Sequence, residues 1–117
     1  EVSGAIIVST PQDVALIDAR KGIDMFSQLK VPILGMIENM SAHVCPKCGH
    51  EEHIFGNGGV RSEAKKIGVP LLAEIPLDLD IRMASDEGAP LVISSPDSMQ
   101  ASIFFELAKA MIERGQA

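Results

Sequence analysis

Short, continuous apolar runs alternate with amphipathic stretches along this chain, the pattern of an α/β fold in which a parallel sheet is flanked by helices. Ala5-Ile6-Ile7-Val8 is apolar at every position, which predicts a strand covered on both faces. In the STPQD that follows, Thr10 is placed to cap a helix, Pro11 suits the first helical position, and Asp13 stands where a capping box puts its acid. Leu16, Ala19, Ile23, Phe26 and Leu29 then recur at helical spacing and predict one buried stripe. Val31 to Ile37 reads as a second strand. VRSEAKKIG reads as a short helix closed by Gly68, with Pro70 preventing its continuation, and LLAEI at 71–75 as a third strand. A brief helix over Ile81 to Asp86 ends near Gly88. The last helix, opened by the cap-then-proline device of SSPDS, turns Phe104, Leu107, Ala108 and Met111 inward.

Ser41 to Gly59 interrupts this series. It is longer and more polar than the connections of about 2 to 6 residues usual in such units, so it reads as an insertion (about 41–59) within one domain spanning 1–117. Both cysteines and all three histidines of the chain lie inside it, around CPKC.

Composition narrows what that insertion means. With 117 residues, 46% hydrophobic and 22% charged, the chain suits one globular domain and not a disordered tail. No run of about 18 apolar residues is present to span a bilayer, and no charged-then-apolar leader opens the sequence, so no membrane partner is expected. The start at Glu1 reads as a cut from a longer protein. A net charge of −6 argues against nucleic acid, whose phosphates attract Lys and Arg clusters. Two cysteines in so apolar a chain do not make a secreted disulfide framework. A reducing compartment follows: the cytoplasm, or the mitochondrial matrix in a eukaryote.

Ligands of open parallel sheets sit beyond the carboxyl ends of the strands. Asn39 follows the second strand and Pro76-Leu77-Asp78 the third, so both loops open on one edge. The Asn amide offers a donor and an acceptor side by side, matching the N6 and N7 edge of adenine, and a group near Asp78 would complete the reading. The plainer alternatives are a turn asparagine and a helix-capping aspartate.

GAIIVSTPQDVALIDARKGIDMF, VPILGMIENMS, CPKC, HIFG with its following glycines, and IPLDLDIRMASDEGAP resemble, in the same order, the carboxyl-terminal half of the Mrp/ApbC family. These are P-loop ATPases related to MinD and to the nitrogenase iron protein. The resemblance runs nearly from Val2 to the last helix, with ENMS and CPKC together as its most specific part. It implies an ATPase of the deviant Walker A type that carries or assembles iron–sulfur clusters for recipient apoproteins. It also implies a homodimer holding a labile cluster through CxxC, adenine contacts from Asn39, Pro76 and Asp78, and ATP with magnesium in the complete protein. One departure is large: no G-x-x-x-x-G-K-[ST] is present, and GNGGVRSE at 56–63 lacks the lysine that reaches the terminal phosphates. The acids that manage magnesium in the family lie upstream of Glu1. These residues by themselves are therefore expected to be without phosphate binding or hydrolysis, the parent protein being the ATPase.

Cysteine ligates metal as the thiolate, and CxxC turns two sulfurs toward one ion, here with Pro46 and Gly49 favouring the knuckle. Cys45 and Cys48 supply two thiolates where a four-thiolate cluster, such as 4Fe-4S, needs four. A two-fold dimer pairs a patch with itself and would supply the others. Three alternatives stay open. Zinc held with His50 or His53 would make this a non-catalytic zinc-stabilised interaction module. A thioredoxin-like redox pair would need its first cysteine at a helix amino terminus, whereas Pro, Gly, His and paired Glu favour a loop or small hairpin. Two reduced surface thiols are the plainest case. His43 and His53 read as unliganded surface residues, Arg20 and Lys21 as a solvated helix face, and Met36, Met40 and Met83 as core filler. The leading reading is ATP-dependent carriage of an iron–sulfur cluster; a MinD-like positioning ATPase is disfavoured because no basic amphipathic membrane helix ends the sequence.

Overall fold

A computed structural model describes residues 1–114. Three parallel strands, β1 (Ala5–Ser9), β2 (Ile33–Asn39) and β5 (Leu71–Ile75), lie in the order β1-β2-β5. Between them run α1 (Asp13–Gln28) and α2 (Gly59–Ile67), and a separate two-stranded hairpin, β3 (His43–Val44) with β4 (Glu51–Glu52), occupies the insertion. Helices α3 (Leu79–Glu87), α4 (Leu91–Ser94) and α5 (Met99–Glu113) follow β5. Among the described residues no helix is long and apolar enough to cross a membrane.

The apolar stripe of α1 lies over β1, and α2 lies over β2 on the same side of the sheet. Ile7, Leu16, Ile23, Met36, Val60 and Ala64 form the core there, with Ala19 and Phe26 half-buried against them. Met36 and Val60 are wholly inaccessible, and burial of such side chains contributes about 1.5–3 kcal/mol each. α5 packs on β5, α4 on α5, and α3 on α4. The closures expected at Gly68 and Gly88 are the observed ends of α2 and α3.

Several sequence expectations shift. Thr10 and Pro11 do not open α1: Gln12 stands at its cap position without a side-chain bond, and Thr10 Oγ1 instead donates to Gln12 Oε1 at 3.1 Å. Pro11 is buried outside the helix because the end of the insertion packs on it; a β-carbon on Gly59 would lie 2.8 Å from its carbonyl. The second strand starts and ends two residues later than the apolar run, since Pro32 has no N–H for the ladder and Glu38-Asn39 remain paired with Glu74 and Ile75. Leu29 falls at the carboxyl cap of α1 and is 64% exposed. On α5 the inward stripe is Ala101, Phe104, Leu107 and Met111, which leaves Ala108 facing solvent. Its cap is Ser98, accepting from Ala101 N at 3.1 Å, with Pro96 outside the helix.

β1 is not covered on both faces. Ile7 and Ser9 are buried, while Ile6 is 36% and Val8 55% exposed, because on the far side of the sheet α5 packs over β5 and not over β1.

Candidate functional site

Met40, with φ 55°, turns the chain out of the sheet directly after Asn39. His43 then pairs with Glu52 and Val44 with Glu51, so the CPKC segment becomes the tip of an antiparallel hairpin. The tip closes through Cys45 N–H to the His50 carbonyl at 2.8 Å and Gly49 N–H to the Cys45 carbonyl at 2.9 Å. Gly49 sits at φ 75°, a left-handed position that a side chain would strain. Inside this turn the backbone N–H groups of Cys48 and Lys47, and the Cys48 thiol, point at the Cys45 sulfur and hold its pKa below the ordinary thiol value. Cys45 is half-buried and Cys48 exposed, both unpaired. The turn thus favours the thiolate and displays both sulfurs at an outer surface, as a metal knuckle does. It is a hairpin and not a helix amino terminus, which removes the geometry a thioredoxin-like pair requires.

The histidines are engaged elsewhere. His50 Nε2 faces Glu52 Oε1 at 3.3 Å. The Nδ1 atoms of His43 and His53 lie 3.1 Å from the Leu77 carbonyl and 3.0 Å from the Ser41 carbonyl. A carbonyl only accepts, so in each ring Nδ1 carries the proton. Among the described residues, no group of three or more His, Cys, Asp or Glu side chains converges to hold a metal ion. Two cysteine sulfurs are what one chain offers.

Asn39 pairs with Ile75, which places it one register step from Pro76. Its Oδ1 accepts from Met40 N at 3.0 Å, leaving a second lone pair and the amide N–H groups for a ligand. Asp78 is a cap: Oδ1 accepts from Asp80 N at 2.8 Å and Ile81 N at 3.2 Å, while Oδ2 accepts from Gln100 Nε2 at 2.9 Å. Pro76 and Asp78 line a cavity of about 420 Å³ between the β5 loop, the amino-terminal turn of α5 and the cysteine hairpin, whose His43, Val44 and Pro46 form the opposite wall. The fold thus brings Pro76 and Asp78 together with the hairpin, and Asn39 stands outside the walls of that cavity.

Glu38 escaped sequence reasoning. It is 3% exposed within β2, its carboxylate accepts from the Val60 N–H at the start of α2, and Oε2 makes no hydrogen bond among the described residues. The one available signal was an acid at the end of an apolar strand. Its placement bears on the glycine-rich stretch as well: the amino terminus of α2 already faces a carboxylate, and Gly59 packs against Pro11 and Leu16. With the Val60 N–H taken by that side chain, the amino terminus of α2 has one donor fewer for a phosphate.

The family model described as ParA, NUBPL iron-transfer P-loop NTPase, matches residues 1–112. The chain is 52% identical over 113 residues to an Arabidopsis thaliana iron-sulfur protein required for NADH dehydrogenase, mitochondrial, covering 97% of this chain and 36% of that protein. It is 50% identical over 107 residues to the iron-sulfur cluster carrier protein of Pseudomonas fragi, covering 92% and 37%, respectively. Against the mouse iron-sulfur cluster transfer protein NUBPL the identity is 49%, over 97% of this chain and 35% of that one. The chain therefore spans little more than a third of these relatives' length. Among solved structures, the Archaeoglobus fulgidus nucleotide-binding protein in complex with ADP superposes with TM-score 0.68 at 35% identity, over 87% of this chain and 41% of that one. The Pyrococcus furiosus cell division ATPase MinD gives 0.72 at 28%, over 95% and 43%.

Proposed function

The chain belongs to the ParA family of NUBPL iron-transfer P-loop NTPases, and from that premise we propose that it is the cluster-holding and base-reading part of an ATP-dependent iron–sulfur carrier. In this reading one 4Fe-4S cluster is the cargo, shared by two copies through Cys45 and Cys48 of each. The observation that carries it is the hairpin tip: two displayed sulfurs, one biased toward thiolate, and no third ligand converging from the same chain among the described residues. A coordination sphere of four thiolates then requires a second copy, and a two-fold axis through the tip supplies it.

The chain's own residues have defined tasks. The turn amides of Lys47 and Cys48 hold the Cys45 sulfur ready to ligate. Asn39 reads the adenine edge through its free amide N–H groups and remaining lone pair, with Pro76 and the Asp78 backbone bounding the base. The Asp78 carboxylate caps α3 and so fixes the loop. Phosphate and magnesium are handled by residues outside this chain, consistent with an α2 amino terminus already bonded to Glu38.

Anaerobic reconstitution of the full-length protein tests the reading. One cluster per two chains is expected, with cluster and dimer lost together in Cys48→Ser, because each bound state stabilises the other by mass action. His50→Ala should leave both nearly intact, since His50 is engaged with Glu52. One zinc per chain, colourless and sensitive to His50 or His53, would establish the zinc-stabilised interaction module instead, and a coloured monomer would overturn the shared cluster.

A further inference from the structure

The β2–β5 pairing does not stop where the strands do. Beyond Asn39 the Ser41 N–H donates to the Ile75 carbonyl at 3.0 Å, the Leu77 N–H to the Ala42 carbonyl at 2.8 Å, and His43 Nδ1 to the Leu77 carbonyl at 3.1 Å. Leu77 stands between Pro76, which has no N–H, and Asp78, whose carboxylate is committed to α3 and Gln100. Both main-chain groups of Leu77 are thus taken by the leg that leads into Cys45. Of its two bonds, the one to His43 is made by a side chain.

We infer that His43 is a positioning residue that couples the loop after β5 to the cysteine hairpin, so that a ligand held at Pro76–Asp78 changes the setting of Cys45 and Cys48. The inference rests on the function proposed above, in which that loop bounds a base and the thiols hold the cargo. His43 lies two residues from Cys45, and its ring, Val44 and Pro46 share the 420 Å³ cavity with Pro76, Leu77 and Asp78. A displacement of Leu77 therefore pulls on Ala42 and His43 together. The hairpin base has little freedom to absorb it: His53 Nδ1 donates across to the Ser41 carbonyl at 3.0 Å, tying the returning leg to the outgoing one. The geometry explains why histidine serves here. Its Nδ1–H reaches the carbonyl while the ring fills a cavity wall, which a lysine or serine would not do.

The experiment uses the full-length protein, with ADP and the reconstituted cluster as the two probes. ADP affinity is measured with and without the cluster, and iodoacetamide alkylation of the cluster-free thiols is followed with and without ADP. Coupling of the usual size gives a ratio of ADP dissociation constants of about 5 or more, and linkage requires the ADP effect on cluster affinity to match it. His43→Asn, which keeps an amide N–H where Nδ1 stands, should retain the ratio and the ADP-dependent alkylation rate. His43→Gln, whose donor is carried out to the position of Nε2, and His43→Phe, which has none, should bring the ratio within twofold of unity. A purely structural role would lower thermal stability in these variants without separating Asn from Gln in the coupling. Wild-type protein that binds both probes with a ratio of one overturns the inference alone, as do Asn and Gln variants with equal ratios. Wild-type protein that binds neither probe overturns the proposed function and takes the inference with it.

Discussion

Glu38 is a carboxylate buried in an apolar strand, with one oxygen on the Val60 N–H and the other without a partner among the described residues. Burial pushes its pKa above the ordinary 4.5, and the Val60 bond and nearby Arg61 only partly offset this. The sign follows from linkage: the neutral acid is favoured in the fold, so its contribution is fully present below the unfolded value and is lost as pH rises through the folded one. Glu38→Gln is therefore expected to gain stability relative to wild type as pH goes from about 4 to 7, measured by urea unfolding at several pH values. Parallel pH profiles would contradict the burial argument. Asn39 carries a different expectation. If its amide pairs with adenine, Asn39→Ala in the full-length protein weakens ATP binding by about 1–3 kcal/mol and affects GTP differently. Equal losses for the two nucleotides would assign Asn39 to folding.

Individual elements depend on particular side chains that two neighbours share. Asp78 caps α3 and also accepts from Gln100 on α5, so one carboxylate fixes the start of one helix and the approach of another. Asp78→Ala is expected to cost about 1–2 kcal/mol, the usual loss for a capping residue, in chemical denaturation; Gln100→Ala should cost less, because the cap remains. At the start of α2 the constraint is space. A methyl at Gly59 would meet the Pro11 carbonyl at 2.8 Å and the Leu16 side chain at 2.9 Å, and the carbonyl is backbone that cannot rotate away. Gly59→Ala should therefore destabilise the chain by about 1–3 kcal/mol, as overpacking does, seen as a lowered thermal midpoint. An unchanged midpoint would mean that the insertion does not rest on the loop after β1.

At the scale of the whole molecule, the sheet has one guarded side and one open one. β1 and β5 are both edge strands, but β5 lies under α5, whereas the uncovered face of β1 shows Ile6 and Val8. Unpaired edge groups beside apolar side chains are a template for association. The 117-residue chain alone should associate with increasing concentration, and Val8→Lys should reduce that association in sedimentation velocity while leaving the thermal midpoint within about 2 °C, since Val8 lies outside the core. Association that survives the lysine would locate the sticky surface elsewhere, with the exposed Met99 and Leu79 beside the cysteine hairpin as the next place to test.

Hydrophobic periodicity along the chain determined the parallel α/β sheet and its three strands, glycine the ends of α2 and α3 at Gly68 and Gly88, and length and polarity the segment that carries the two cysteines. Each of these follows from contacts or backbone preferences local to a few residues. The starts of α1 and α5 were misplaced because a cap is decided by which neighbour the preceding residues pack on: Pro11 is held under Gly59 and Pro96 stays outside Ser98. Sequence did not reveal that Glu38 is buried, that Ile6 and Val8 are not, or that α4 interrupts the run between α3 and α5. Nor did it reveal that His43 and His53 bond backbone carbonyls, or that Leu77 joins the loop after β5 to the cysteine hairpin. Those facts depend on which segments lie side by side. Pairing between residues as far apart as 43 and 77 leaves no periodic trace in a single chain, and only the folded arrangement decides it.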